Sequence, residues 1–245
     1  MATALDLERD LETLYASADT LDASAQRQLA PSLVSYALDR SKTDGLFWLR
    51  FVQTRDEADP ARSIKPFPVH LEYIRQLWAV YTADPRVVVA KSRQMLVSWV
   101  TAAFCAWIAR FTPNQAIYWQ SQQYEDAAMM ISLAEGGYQG RIQFIESWLP
   151  EWMRQPVKFS EGKAQYPNGS LVQALAGGAD KVRGKVVSVY VGDEFARMDD
   201  QAGTYAAVAP LMQKGARAIF ISTPNGSGNQ FCTLYHGRYM GLDKP

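Results

Sequence analysis

The chain has 245 residues, of which 48% are hydrophobic and 20% are charged, and its 25 basic and 25 acidic side chains give a formal net charge of zero. This balance is typical of a globular protein with a large core, and it argues against nucleic-acid binding through an overall basic field. Two histidines and two cysteines lack zinc-ligand spacing, which predicts that Cys105 and Cys232 are reduced core residues. The apolar runs are too short to span a bilayer and the acidic N-terminus is no secretory signal, so we expect no membrane contact and a cytosolic compartment.

Residues 1–60 are predicted to form a separable helical appendage with its linker. Four leucines between residues 5 and 14 recur near helical spacing, and Pro31 is placed to open a second helix over residues 32–40. The charged stretch 54–68 contains three prolines, which favours a linker or an irregular loop. No chemistry is assigned to this region.

Residues 61–245 are predicted to form one α/β domain, because helical and strand patterns alternate after Pro68. Buried strands are predicted over residues 87–90, 116–120, 186–191 and 218–222. Helices are predicted over residues 69–81, 98–110, 124–134, 202–212 and 230–239, with a partly helical aromatic segment over 143–153. Residues 157–176 are predicted to be an inserted β-hairpin that turns at residues 167–169. This alternation favours a doubly wound, mostly parallel sheet with helices on both faces.

The segment 87–99 is the most informative part of the chain. It has the pattern of a buried strand, a short basic loop and a helix start, a succession that holds phosphate through converging amides and a helix N-terminus. The signature G-x-x-x-x-G-K-[ST] is incomplete, because Leu96 and Val97 stand where glycine and lysine would stand. An ordinary strand–turn–helix corner is the alternative. The residues predicted to contact the ligand are Lys91, Ser92, Arg93, Gln94 and Ser98.

Two further strands end in residues that suit phosphate chemistry. Asp193 and Glu194 follow a buried strand, and carboxyl ends of parallel strands are where ligands bind. Asp193 is predicted to hold Mg²⁺ together with the Ser98 hydroxyl, and Glu194 to orient and deprotonate the attacking water. A solvated Asp-Glu pair is the alternative. The next strand runs into the small polar residues Ser222, Thr223 and Asn225, which are predicted to sense the terminal phosphate or, alternatively, to form only a turn.

These three segments together resemble the ATPase motor domain of the large terminase subunit of tailed bacteriophages. The runs Ser92-Arg93-Gln94 and Asp193-Glu194 and residues 221–226 are similar, in order, to the Walker A, Walker B and coupling motifs of that family. The turn at residues 166–170 and the run 182–184 also resemble it. The resemblance covers about residues 65–240, and it implies the P-loop NTPase-like form of the predicted sheet.

The resemblance implies that the chain hydrolyses ATP with Mg²⁺ and translocates double-stranded DNA into a procapsid. It also implies a homo-oligomeric ring on the portal protein, a small terminase subunit as partner, and a location in the host cytoplasm. Family members usually carry a C-terminal nuclease domain of ribonuclease H type. The chain ends at Pro245, just after the motor core, so we expect that domain to be absent from it.

The resemblance also implies roles for individual basic residues. Some terminases use a lysine at the start of the loop, the place of Lys91 here, which could otherwise be a strand-end lysine in water. Arg93 is an arginine-finger candidate in cis, and Arg183 is one that would reach the neighbouring subunit's site. Residues 181–185 could instead be a solvated basic loop or a DNA-backbone contact. His70 lies near the position of the family's adenine-contacting glutamine.

Two alternative functions stay open at this level. A helicase-like DNA translocase shares the strand-end motifs, but it should keep the Gly-Lys-Ser/Thr run and a second motor lobe that this length cannot hold. A catalytically weak or dead ATP-binding structural subunit would explain the substitutions at Leu96 and Val97. Hydrolysis measured with and without Glu194 separates the second alternative from a motor.

Overall fold

The computed structural model describes residues 31–55, 64–132 and 139–239, so the helix predicted between residues 5 and 14 lies outside the described part. The helices in this part are α1 (Pro31–Thr43), α2 (Gly45–Leu49), α3 (Glu72–Ala83), α4 (Val97–Phe111), α5 (Tyr124–Ile131), α6 (Arg141–Trp148), α7 (Gln201–Gln213) and α8 (Gln230–Tyr239). The strands are β1 (Gln53–Arg55), β2 (Ile64–Pro66), β3 (Arg86–Ala90), β4 (Ala116–Gln120), β5 (Lys158–Ser160), β6 (Lys163–Gln165), β7 (Leu171–Leu175), β8 (Val189–Asp193) and β9 (Arg217–Ser222).

The main sheet has seven strands in the order β3-β9-β8-β4-β7-β6-β5. Its first five strands pair in parallel, whereas β6 and β5 are antiparallel to their neighbours. Strands β1 and β2 form a separate antiparallel pair. The predicted α/β fold with a doubly wound, mostly parallel sheet is confirmed.

Helices cover both faces of this sheet, as the alternation along β8 demonstrates. Val189 and Val191 belong to the hydrophobic cluster that includes residues of α1 to α6. Tyr190, between them, belongs to the second cluster, with Val208 of α7 and Leu234 of α8. Side chains of a strand alternate between faces, so β8 is buried on both sides. Its carboxyl end is thereby held rigidly in the middle of the domain.

Helices α1 and α2 pack against the same core as the sheet. Trp48 of α2 is fully buried, and its ring centre lies 6.5 Å from that of Trp78 in α3. The indole N–H of Trp107 donates a hydrogen bond of 2.8 Å to the Ser41 carbonyl. This packing continues across the boundary predicted at residue 60, and the division into two domains stays a prediction. The predicted linker, residues 54–68, begins in β1 and includes β2, and these two strands pair with each other.

Two predicted elements differ from those in the structure. Strand β8 begins at Val189 rather than at residue 186, and Val186 is exposed. Ser188 already bonds to the first residue of β4 through its backbone N–H and its hydroxyl, so the pairing of β8 with β4 does not extend back to Val186. The predicted hairpin over 157–176 contains three strands, and its last one joins the parallel sheet beside β4. The predicted turn is present, with Gly169 at φ +86°.

Cys105 is fully buried, as expected for a core residue, whereas Cys232 is half-buried; both are free thiols. Burial raises the pKa of the Cys105 thiol well above its ordinary value, so this side chain behaves as a small apolar group. Within the described ranges, none of the helices combines the length and the apolar character that crossing a membrane requires.

Candidate phosphate-binding and catalytic site

The site lies where the carboxyl ends of β3, β9 and β8 meet, since these strands are neighbours and parallel. The Lys91 N–H donates to the Ser222 carbonyl at 3.0 Å and continues the ladder between β3 and β9. Asp193 pairs in register with Ile221 of β9. The three predicted motifs are therefore brought together at one edge of the sheet, where open α/β sheets bind ligands.

The loop between β3 and α4 has a strained backbone. Gln94 has φ +62° and Leu96 has φ +53°, and both lie in the left-handed region that favours glycine. For L-residues this conformation costs about 1–2 kcal/mol each. Leu96 thus takes the conformation that the missing glycine of the motif would take. It is the N-cap of α4 and gives no side-chain cap, so the first N–H groups of this helix suit an anion.

A cavity of about 750 Å³ opens at this loop. Its walls come from residues 91–96, the start of α4, strands β1 and β2, and Arg141 at the start of α6. The described residues that line it include no Asp or Glu and five cations: Arg55, Lys65, Lys91, Arg93 and Arg141. Ser92, Gln94 and Ser98 also line it, whereas His70 is exposed and is not among the described lining residues.

Lys91 and Glu194 form an ion pair across the site. The Lys91 Nζ lies 2.7 Å from Glu194 Oε1, and the two side chains are 12% and 36% exposed. Glu194 Oε2 accepts hydrogen bonds from the Thr223 N–H at 3.2 Å and the Thr223 hydroxyl at 3.0 Å. Burial would raise the pKa of Glu194, but the Lys91 ammonium and the Thr223 donors outweigh it and lower the pKa below its ordinary value. Glu194 is therefore an ionised acceptor at neutral pH.

Asp193 is the last residue of β8 and is only 4% exposed. Its Oδ1 accepts a hydrogen bond of 3.1 Å from the Glu194 N–H. Burial, and then the negative charge of Glu194, raise the pKa of Asp193, whereas the cations Lys91 and Arg141 oppose the shift. A divalent cation beside this carboxylate would favour its ionised form.

The available oxygen donors fit Mg²⁺. This ion is usually bound by one or two carboxylates together with waters and substrate phosphates rather than by an all-protein cage. Asp193 offers such a carboxylate, and Ser98 offers a hydroxyl in the first turn of α4, where it lines the cavity. The described residues contain no group of three or more His, Cys, Asp or Glu side chains suited to a metal.

The predicted coupling residues all contact the turn that carries Glu194. The Ser222 hydroxyl accepts a hydrogen bond of 3.1 Å from the Ala196 N–H, and the Asn225 amide donates one of 3.1 Å to the Ala196 carbonyl. Thr223 binds Glu194 itself. Glu194 has φ +45°, so this contact holds a strained residue in place. The segment after β9 is thus linked to Glu194 rather than being only a turn.

The two finger candidates lie in different places. Arg93 is exposed and lines the cavity. Arg183 is not among the described lining residues; its side chain is 63% exposed and pairs with Asp180 at 2.6 Å. Gly178 and Gly184, both with positive φ, bound the loop that carries it.

The sequence reasoning missed three cavity cations, Arg55, Lys65 and Arg141. Arg55 and Lys65 fall within or beside the predicted linker. Arg141 precedes an aromatic segment that carries no motif. A lone arginine in such a context gives no signal, because only the packing of distant segments brings it to the site.

Solved structures of phage terminases have a similar fold. The large terminase of bacteriophage HK97 is 12% identical, with 71% of this chain and 37% of that chain covered and a TM-score of 0.55. The large terminase of the thermophilic bacteriophage D6E is 13% identical, with coverage of 69% and 43% and a TM-score of 0.53. The large terminase ATPase domain of Thermus phage P74-26 is 18% identical, with coverage of 63% and 66% and a TM-score of 0.49.

At these identities the first two structures show the fold alone, and this chain spans less than two thirds of each of the three. The sequence itself matches a family model described as terminase large subunit, T4likevirus-type, N-terminal, over residues 89–243. That match includes the phosphate loop, Asp193, Glu194 and the segment after β9. The chain therefore belongs to the large terminase subunit family, in the region of the family's N-terminal domain.

Proposed function

We propose that this chain is the ATP-hydrolysing motor domain of a viral DNA-packaging terminase and that it translocates double-stranded DNA into a procapsid. The observation that carries the proposal is the meeting of Lys91 and Glu194, which are 103 positions apart in sequence, at 2.7 Å beside a helix N-terminus. A cation, an ionised acceptor and unpaired helix amides are the parts that phosphoryl transfer to water needs. Membership of the terminase family supports the same function.

In this proposal the loop binds the phosphates of ATP. Lys91 supplies a point charge in place of the lysine missing at position 97, and Ser92, Arg93 and Gln94 line the phosphate path. Asp193 and Ser98 hold Mg²⁺, which supplies positive charge on the phosphate oxygens when it is bound. His70 remains a prediction as an adenine contact.

Glu194 orients the attacking water and accepts its proton. Its Oε2 is held by Thr223, so the position of the carboxylate is fixed from the β9 side. Its Oε1 accepts from Lys91, and a carboxylate oxygen has a second lone pair that a water can use. When the Lys91 ammonium turns towards phosphate, the cation that most lowers the pKa of Glu194 is withdrawn, which makes Glu194 a stronger base.

Matched variants of the loop test the proposal. Lys91→Ala should lower both the affinity for MgATP and turnover strongly, because the site loses its phosphate ammonium. Val97→Ala should change neither, because Val97 is a buried apolar residue of α4. Isothermal titration measures affinity, and phosphate release measures turnover. Equal affinity of Lys91→Ala and the wild type would refute the role of Lys91.

A second candidate function is a structural packaging subunit that binds ATP without hydrolysing it. Two observations favour it: Val97 replaces the expected lysine, and Lys91 is engaged with Glu194. Such a subunit would bind MgATP tightly and release no phosphate at any protein concentration.

The ring arrangement and the partners are also proposals. The proposed assembly is a homo-oligomeric ring on the portal protein, with the small terminase subunit and DNA as partners, in the host cytoplasm. In such a ring the exposed Arg183 of one subunit would reach the neighbouring subunit's site. A trans finger contributes about 10³–10⁵ in rate. Turnover should therefore rise more than linearly with concentration, and mixing Arg183→Ala with Glu194→Gln should restore some activity. If mixed assemblies form without recovery, Arg93 is the better finger candidate.

A further inference from the structure

Arg141 is a cavity residue that no motif of the sequence includes. It is the first residue of α6 and lines the same cavity as the phosphate loop. Its guanidinium carbon lies 5.5 Å from the ring centre of Trp99, in the first turn of α4, and its Nη1 lies 2.8 Å from Met130 Sδ. Contacts with α4 and α5 thus fix the position of the charge. A fixed guanidinium loses little conformational entropy when it binds a ligand.

The wall around Arg141 is built from stacked aromatic and cationic groups. The Trp99 and Phe144 rings meet edge to face, with centres 5.5 Å apart and an interplanar angle of 78°. The Arg55 guanidinium carbon, from β1, lies 4.9 Å from the Phe144 ring centre and also borders the cavity. Aromatic faces hold cations without neutralising them. Both arginines line the cavity.

The charge of Arg141 also reaches the catalytic edge of the sheet. It acts on the Asp193 carboxylate, as the charge of Lys91 does. The charge of Arg141 therefore acts on the proposed Mg²⁺ ligand. Lys91, at the end of β3, pairs with the adjacent carboxylate of Glu194. Two cations on different elements, one on α6 and one at the end of β3, therefore act on the same Asp193 carboxylate.

We infer that Arg141 binds the phosphates of the nucleotide in cis, as a second fixed cation beside Lys91. Its planar fork suits two phosphate oxygens, which a lysine point charge does not. This assignment gives the site a second source of the positive charge that a lysine at position 97 would supply, on α6 as well as at Lys91. The inference rests on the proposed nucleotide binding at this cavity.

The test compares three variants of the full chain in titrations with MgATP and with MgADP. Arg141→Gln keeps a long polar side chain and removes the charge, and it should weaken MgATP binding by about 10- to 100-fold, the loss expected for charge-assisted hydrogen bonds. Arg141→Lys should recover part of the affinity. Arg75→Gln is the matched control, because Arg75 is an exposed arginine of α3 that pairs with Glu72 and is not among the described lining residues.

Thermal unfolding of the same variants separates binding from packing. A lower melting temperature of Arg141→Gln with wild-type affinity for MgATP would overturn the inference and leave Arg141 a packing residue. Loss of DNA affinity with unchanged MgATP affinity would overturn it as well. Absence of nucleotide binding by the wild type would instead refute the proposed function itself. Weak binding by Arg141→Gln at an unchanged melting temperature supports the inference.

Discussion

The Lys91–Glu194 pair at the sheet edge and the Arg110–Glu146 pair between α4 and α6 differ in how far solvent reaches them. The side chains of the first pair are 12% and 36% exposed, and those of the second are 3% and 4% exposed. Glu146 also accepts a hydrogen bond of 3.0 Å from the Tyr166 hydroxyl, in the β6–β7 hairpin. The inner pair therefore ties three segments together, whereas Lys91 of the outer pair lines a cavity.

The backbone around the two pairs differs as well. Glu194 and Leu96 have φ of +45° and +53°, whereas Arg110 and Glu146 lie in regular helices. L-residues with a left-handed backbone conformation persist where neighbouring groups hold them, and such strained residues are often found at functional sites. Two ion pairs of a basic side chain with a glutamate thus lie in very different surroundings. We expect the inner pair to stabilise the fold, and the proposed function requires that a ligand can exchange the partners of the outer pair.

The largest expected effect is on chemistry at the outer pair. Glu194→Gln keeps the shape of the side chain but cannot accept a proton, so turnover should fall by about 10²–10⁴-fold. Affinity for MgATP should stay close to that of the wild type. Phosphate release in single-turnover conditions, with titration of MgATP alongside, measures both. Unchanged turnover would remove Glu194 from its catalytic role.

The inner pair should respond in stability instead. Glu146→Ala leaves the Arg110 guanidinium buried without its carboxylate, which costs roughly 3–5 kcal/mol in the free energy of unfolding. Tyr166→Phe removes only the neighbouring hydroxyl and should cost about 1 kcal/mol. Urea denaturation followed by tryptophan fluorescence measures both. If Glu146→Ala unfolds at the wild-type urea concentration, the inner pair does not stabilise the fold.

The outer site could be predicted further from sequence than the inner network. The phosphate loop and the Asp193-Glu194 strand end could be predicted from short stretches of sequence, because in each case the polar residues directly follow a buried strand in the chain. The Lys91–Glu194 contact follows once β3 and β8 flank β9. Arg141 depends on how α6 packs on α4, and no pattern within its own segment contains that information. For the same reason, no sequence pattern predicted that Arg110, Glu146 and Tyr166 contact one another.

The two adjacent carboxylates of the site should respond to pH with opposite signs. The folded pKa of Asp193 is raised, so its contribution to stability is complete below its ordinary pKa and is lost as pH rises through the folded value. The folded pKa of Glu194 is lowered, so its contribution is present above the ordinary pKa and is lost as pH falls through the folded value.

Single substitutions separate these two effects. Asp193→Asn should raise the free energy of unfolding at pH 7, and the gain should shrink below pH about 4, near the ordinary Asp value. Glu194→Gln should lower it at pH 7, with the loss shrinking in acid. Denaturation curves of each variant and the wild type at several pH values provide the measurement. A gain for Asp193→Asn that grows in acid would contradict the burial argument.

The smallest expected effect tests the strain in the loop. Leu96→Ala and Leu96→Gly both remove a half-buried side chain, so their difference reports the backbone alone. At φ +53° glycine avoids about 1–2 kcal/mol of strain but loses about 0.5–1 kcal/mol through the entropy of the unfolded chain. Leu96→Gly should therefore be more stable than Leu96→Ala by about 0.5–1 kcal/mol. Val97 is helical, so the order should reverse there, and Val97→Ala should be more stable than Val97→Gly. If Leu96→Ala were more stable than Leu96→Gly, as expected for a helical position, the backbone would not be strained at Leu96.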